Sequence, residues 1–241
     1  MKHIFFLLVV CCLSKTFVYS QTPLRFRAGL SLGAVATDIP GMDTRDVDSD
    51  FKKLGFSFGG LINTQFSKNT LQLEINFTQK GSQQDPDTLN EGYYRLNLNY
   101  IDIPLIFRHK IHVNIRKKPM DRLEVEGGVS VERLVGYSFT DATNYPGQVN
   151  KNAFNNTTAS ILAGLNFNFS QNLYFCLRYS NSFIPALKRQ NIPLHLIRYA
   201  YNSGNNQVVL FSVKYVFGSP NPTVSDGKGS KPAGVPALIP Q

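Results

Sequence analysis

The chain has 241 residues and a formal net charge of +9, from 25 Lys and Arg against 16 Asp and Glu. Apolar residues make up 42% of it, yet after the N-terminal stretch no run approaches the roughly twenty needed for a membrane-crossing helix, which excludes a helical membrane protein. The basic balance alone would admit nucleic acid, but the leader described next directs export, where anionic lipid or glycolipid is the fitting counterpart; a solvated basic surface accounts for the excess equally well, and no nucleic-acid partner is expected.

Residues 1–20 carry a cationic start (Lys2, His3), an apolar run from Ile4 to Leu13 and a small residue, Ser20, after Val18 and Tyr19. That is the pattern of a secretory signal, with the mature chain expected to begin at Gln21. A lipoprotein reading of Cys11 or Cys12 is weaker, because Val10 and Cys11 are poor neighbours for a modified cysteine. Cleavage removes Lys2, Lys15 and two of the three cysteines, leaving a charge of +7 and Cys176 alone, so no internal disulfide framework is expected.

The mature chain alternates apolar and polar residues with period two, the signature of half-buried strands. The first strand is expected over 24–36, with Phe26, Ala28, Leu30, Leu32 and Ala34 on one face and Arg25, Arg27, Gly29, Ser31 and Gly33 on the other. The second (54–67) sets Phe56, Phe58, Ile62 and Phe66 against Ser57, Asn63 and Gln65; the third (70–81) sets Leu71, Leu73, Ile75 and Phe77 against Gln72, Glu74, Asn76, Thr78 and Lys80. The fourth (93–110) places Arg95, Asn97 and Asn99 opposite Leu96 and Leu98. Its phase slips near Tyr100, after which Ile101, Ile103, Leu105 and Phe107 oppose Asp102, Pro104, Ile106 and Arg108, and a β-bulge holding Pro104 is the expected cause. The fifth (122–139) alternates Leu123, Val125, Val129 and Val131 with Glu124, Glu126, Ser130 and Glu132. The remaining strands are expected over 157–169, 172–183 and 207–217, with Arg178 and Lys214 on their polar faces.

Eight strands is an even number, as single-chain bacterial barrels require. Connections alternate in length: 37–53, 82–92, 140–156 and 184–206 are long, whereas 67–70 and 170–172 are tight turns. Long loops at one rim and short turns at the other match outer-membrane barrels, whose long loops face outward. The middle connection, 111–121, is the exception; it is basic (Lys110, Arg116, Lys117, Lys118, Arg122) and faces the periplasm in this topology. The sequence therefore predicts a signal over 1–20, an all-β, eight-stranded, antiparallel up-and-down transmembrane barrel over 21–217, and a Pro- and Gly-rich flexible tail over 218–241.

A soluble lipocalin-like carrier would turn the greasy face inward. The polar face carries Arg25, Arg27, Glu74, Lys80, Arg95, Glu124, Glu126, Glu132, Arg178 and Lys214, too many charges for a cavity meant for lipid. Turned inward, they can pair across a narrow lumen, so a plugged lumen is expected rather than a pore. Phe26, Phe66, Tyr137, Phe139, Phe169, Tyr215 and Phe217 are then expected to form interfacial girdles without Trp.

The stretch Leu71-Gln-Leu-Glu-Ile-Asn-Phe-Thr-Gln-Lys-Gly81, followed by Leu98-Asn-Tyr-Ile-Asp-Ile-Pro-Leu-Ile-Phe107, resembles the PorT-like outer-membrane β-barrel family of Bacteroidota. The resemblance is specific across these two strands and loose elsewhere. It implies the barrel fold and the outer membrane. The family's named member belongs to the gliding and type IX secretion apparatus.

Residue types for catalysis are sparse. His109 and His112 fall at the periplasmic end without an acidic neighbour in sequence, and His195 is the one histidine in an outer loop. Asp43, Asp46, Asp48 and Asp50 are spaced like calcium ligands, but Phe51 stands where glycine should turn the loop and Ser57 where a Glu should close the shell, so a solvated loop is expected. No enzyme, cofactor or metal is expected. The expected partners are outer-membrane lipid and periplasmic envelope proteins docking through the basic 110–122 connection and the tail. The alternative is a surface-binding protein using Tyr145, Pro146, the 150–156 segment and Arg189 to Tyr201.

Overall fold

The fold follows from a computed structural model that describes residues 25–40, 51–84, 94–115, 118–141, 151–188 and 204–218. The expected signal (1–20), most of the expected tail, the Asp43 to Asp50 loop, Arg116, Lys117, Tyr145, Pro146, His195 and the 189–201 stretch lie outside these. Eight strands follow in chain order: β1 (Phe26–Asp38), β2 (Lys53–Phe66), β3 (Asn69–Gln84), β4 (Tyr94–Ile115), β5 (Lys118–Asp141), β6 (Thr157–Asn168), β7 (Leu173–Ser182) and β8 (Gln207–Val216). Each pairs antiparallel with the next, and β1 pairs with β8 to close the barrel. Closure removes the open edges that a membrane-embedded sheet cannot leave unpaired.

Period two decides what faces where. On β1, β3, β7 and β8 the polar series points into the lumen, and Phe, Leu, Ile and Val point outward over the whole circumference. Phe26, Phe66, Phe169, Tyr215 and Phe217 are exposed near the turn-side rim, as expected of a girdle, and Phe66 lies 6.4 Å from Phe107 between ring centres. Toward the other rim the aromatic group is Phe56, Phe58 and Phe77, with centroids 5.4–6.2 Å apart.

Three expectations are corrected. The middle connection is not long: β4 and β5 pair down to Ile115↔Lys118, so the 111–121 segment is the end of a hairpin. The β4 phase slip does not occur either. Tyr94, Leu96, Leu98, Tyr100, Asp102, Pro104, Ile106 and Arg108 all face inward along one unbroken alternation. The irregularity near Tyr100 lies on β5, where Asn99 opposes Gly136 and Tyr100 opposes Leu134, leaving Val135 as the extra residue; a second register shift falls between Ile111 and Val113. Pro104 sits in regular register with Ser130 and falls where the β3–β4 pairing skips from Leu73↔Leu105 to Asn76↔Asp102, as suits a residue with no N–H to donate.

Finally, Phe139 is a packing residue and not part of a girdle, and Tyr137, though 38% exposed, turns to the same face. Past the bulge they oppose Leu98 and Leu96 and share their inward face; Phe139 stacks 6.5 Å from Tyr94, and Tyr137 lies 5.1 Å from Phe154. With 22 residues in β4 and 24 in β5, these strands run far beyond the 9–11 that cross a bilayer.

Candidate functional site: the lumen and its two mouths

The centre of the lumen is filled by two ion-pair networks. In the first, Arg178 is the hub: its Nη1 and Nη2 donate to both Glu74 oxygens at 3.0 Å, and its Nε donates to Glu126 Oε1 at 2.6 Å. The two-pronged, end-on grip on Glu74 is one of the strong arginine–carboxylate arrangements. Lys214 Nζ adds 2.7 Å to Glu74 Oε1, Asn76 donates to Glu74 at 2.8 Å, Gln72 also donates to Glu74, and Asn166 donates to Glu126 at 2.7 Å. Two acids and two bases cancel, so the group is neutral inside a low-dielectric wall. Gly164 makes room for it, since a Cβ there would lie 3.0 Å from Glu126 Oε1 and 2.6 Å from the Leu177 carbonyl.

The second network is built on Lys80, whose Nζ lies 3.2 Å from Asp102 Oδ2 and 2.9 Å from Glu132 Oε1, and 5.2 Å from the centre of the Tyr100 ring. Thr158 and Ser160 donate to Glu132. Between the networks a cavity of about 30 Å³ remains, lined in part by Lys80, Glu132 and Arg178, room for a water molecule or two and not for an aqueous path.

Most of the charges that the alternation turned inward are there: Arg27, Glu74, Lys80, Glu124, Glu126, Glu132, Arg178 and Lys214 are buried. Arg25 and Arg95 are not. Arg25 precedes the first strand residue, and Arg95 lies on the outer face, where it donates to Gln83. His109 is exposed and hydrogen-bonded to Asn69 at 2.7 Å, and His112 is exposed. Among the described residues no three His, Cys, Asp or Glu side chains converge as metal ligands do.

The two mouths differ. The loop-side mouth is closed by an apolar plug: Ile39, Tyr94, Leu96, Leu98, Tyr100, Ala153, Phe154, Ala186 and Leu187 are buried together. Two outer connections are clipped to each other over it, by Asn155 N to Ala186 O at 2.8 Å and Lys188 N to Ala153 O at 2.7 Å, and Ala186 N reaches Gly204 O at 2.9 Å. The turn-side mouth instead opens into a cavity of about 540 Å³. Its wall includes Arg27, Arg108, Lys110, Arg122, Glu124 and Tyr174. Arg108 Nε is 3.5 Å from Glu124 Oε2, near enough to pair charge and too poorly aligned for a hydrogen bond, and the guanidinium lies 5.2 Å from the centre of the Tyr174 ring. Arg27 donates to the carbonyls of Gln171, Phe217 and Gly218 at 3.3–3.4 Å.

The family model described as "outer membrane protein beta-barrel domain" matches residues 19–188. The chain belongs to the outer membrane protein β-barrel domain family. Its place is therefore the bacterial outer membrane, in agreement with a closed barrel that is apolar outside and charged within. Among curated proteins no relative matches. Solved structures similar to it include the attachment invasion locus protein Ail of Yersinia pestis (11% identity, 80% of this chain, 99% of that one, TM-score 0.40), Neisserial surface protein A (11%, 80% and 97%, 0.40) and the N-terminal barrel of Pseudomonas aeruginosa OprF (11%, 80% and 100%, 0.35).

The two-strand motif quoted above acquires a physical meaning in this family member. Its segments are direct neighbours, with Leu71 opposite Phe107 and Lys80 opposite Leu98. Glu74 anchors the first network, and Lys80 and Asp102 belong to the second. Gly81 has φ of +136°, and a Cβ there would lie 2.0 Å from the Leu96 carbonyl oxygen, so only glycine fits. What sequence reasoning missed is the inward set Leu96, Leu98 and Tyr100. The available signal was the polar set beside it: Arg95, Asn97 and Asn99 suit water, so their apolar neighbours must face in.

Proposed function

We propose that the protein is a non-enzymatic, non-conducting outer-membrane barrel that acts as a scaffold or accessory component of an envelope or secretion assembly. The observation that carries this is the filled lumen: ion-pair networks occupy its centre and an apolar plug closes one mouth, leaving the surfaces at the two ends as the parts able to work. At the periplasmic end the β4–β5 hairpin extends past its neighbours, since β3 pairs only to His109 and β6 only from Leu123. The sequence over 110–122 is rich in basic residues (Lys110, Arg116, Lys117, Lys118, Arg122), and the backbone edges of the described hairpin suit pairing with a strand of another protein. The motif over Leu71 to Gly81 and Leu98 to Phe107 supports a place among PorT-like barrels.

A surface-binding role is the second reading, favoured by the ordered lobe at the loop-side mouth, where Tyr94, Leu96, Leu98 and Tyr100 of β4 pack with Ile39, with Leu134 and Phe139 of β5 and with the two clipped outer connections. Photo-crosslinking residues at His112 and at Asn97, with the protein in its native envelope, separate the two. Adducts to a periplasmic protein from position 112 are the expected result. Adducts from position 97 alone, or stepwise conductance of the purified barrel in planar bilayers, would overturn the scaffold reading.

A further inference from the structure

We propose that the turn-side cavity is a binding site for a small multivalent oxyanion, a phosphate ester or polycarboxylate, entering from the periplasm. This stands independently of the scaffold reading. The cavity's volume of about 540 Å³ falls within the range of small-molecule pockets, and it is open on the side of the turns. Four cationic side chains, Arg27, Arg108, Lys110 and Arg122, line it against a single carboxylate, Glu124. That imbalance distinguishes it from the centre of the lumen, where Glu74 and Glu126 match Arg178 and Lys214.

The cations are graded in depth. Arg108 is 3% exposed and Arg27 7%, Lys110 is half-buried, and Arg122 is exposed at the rim. An anion is thus met first by more exposed rim charges and then by guanidinium groups held in place. Arg108 is braced by Tyr174, and Arg27 by three carbonyls. A guanidinium fixed in this way loses little freedom on gripping an oxyanion, which is what makes arginine the preferred residue for the task. Among the described residues the wall also holds two buried donors without a hydrogen-bond partner, Asn63 Nδ2 and Arg108 Nε, the latter 3.5 Å from Glu124 Oε2, beside two unpartnered acceptors, Glu124 Oε2 and Asn168 Oδ1. Buried donors are ordinarily satisfied, and oxyanion oxygens supply acceptors of the right kind.

The test is calorimetric titration of inorganic pyrophosphate into the refolded full chain in zwitterionic detergent, with citrate as a second probe to separate phosphate from carboxylate preference. One saturable site per chain is expected, weakening as salt rises. Arg108→Gln should weaken binding by about tenfold or more, as loss of a buried charge-assisted contact does. Because Arg108→Gln also removes the partner of Glu124, the double variant Lys110→Gln with Arg122→Gln, confined to the outer part of the cavity, should weaken binding severalfold while leaving the heat-modifiable folded band unchanged. Glu124→Gln should tighten it, and Lys188→Gln, an exposed lysine at the opposite mouth, should leave it unchanged. Absence of saturable binding to either probe at millimolar concentration would overturn the proposal, as would binding that Lys188→Gln weakens as much as Arg108→Gln.

Discussion

The stretch of β4 on either side of Tyr100 places two opposite environments on one unbroken strand. From Ile101 to Phe107 the odd-numbered residues are apolar and face lipid, while Asp102 and Arg108 face the lumen. From Tyr94 to Tyr100 the odd-numbered residues are Arg95, Asn97 and Asn99 and face outward, while Tyr94, Leu96, Leu98 and Tyr100 are buried inside. The geometry is continuous and the solvent changes. Lipid outside requires an apolar outer face and tolerates a charged core, whereas water outside allows the ordinary globular arrangement with an apolar core. The same residue types thus stabilise opposite faces a few residues apart, and the chain passes from membrane protein to water-soluble lobe without a break in the sheet.

The two regions should respond differently to the same kind of change. The largest effect belongs to the centre of the wall: Arg178→Met leaves Glu74 and Glu126 without their shared partner and should cost about 3–5 kcal/mol, measured by denaturant unfolding from lipid vesicles. Adding Glu126→Gln to it, which leaves the Glu74–Lys214 pair balanced, should recover part of the loss. Next, an arginine at Ile103 on the lipid face should cost about 2–4 kcal/mol in the same assay, whereas an arginine at Asn97, on the same face of the same strand, should stay within about 0.5 kcal/mol. Equal costs at the two positions would erase the distinction between the regions. Gly81→Ala, at the junction between wall and lobe, should cost about 1–3 kcal/mol through backbone strain at φ of +136°.

The wall was legible in the sequence and the lobe was not. Inside the membrane the outer face is apolar and the charged residues point in, with Leu61, Ile106, Leu162 and Leu210 packed among them, so Glu74, Lys80, Glu126, Glu132, Arg178 and Lys214 could be assigned to the lumen from alternation alone. That rule, carried into the lobe, is what makes Leu96 and Leu98 look out of phase and suggests a bulge at Tyr100. The actual bulge, at Val135, is marked in sequence only by a similar change of phase before Tyr137 and Phe139. The plug was also hidden because Phe154 and Leu187, which bridge to each other, come from connections distant in sequence, and no local pattern pairs them. The cavity at the turn-side mouth was legible only as basic residues; that Arg27 and Arg108 converge there depends on closure of the barrel.

The inversion is tested most directly by nitroxide labels placed one at a time at positions 97, 99, 103 and 105, in a Cys176→Ser background reconstituted in lipid. Their collision rates with oxygen, which concentrates in the bilayer, and with a water-soluble nickel chelate would be compared. Labels at 103 and 105 should favour oxygen, and labels at 97 and 99 should favour the chelate. If 97 and 99 also favour oxygen, the lobe does not exist as a water-exposed extension, and β4 is a lipid-facing strand throughout.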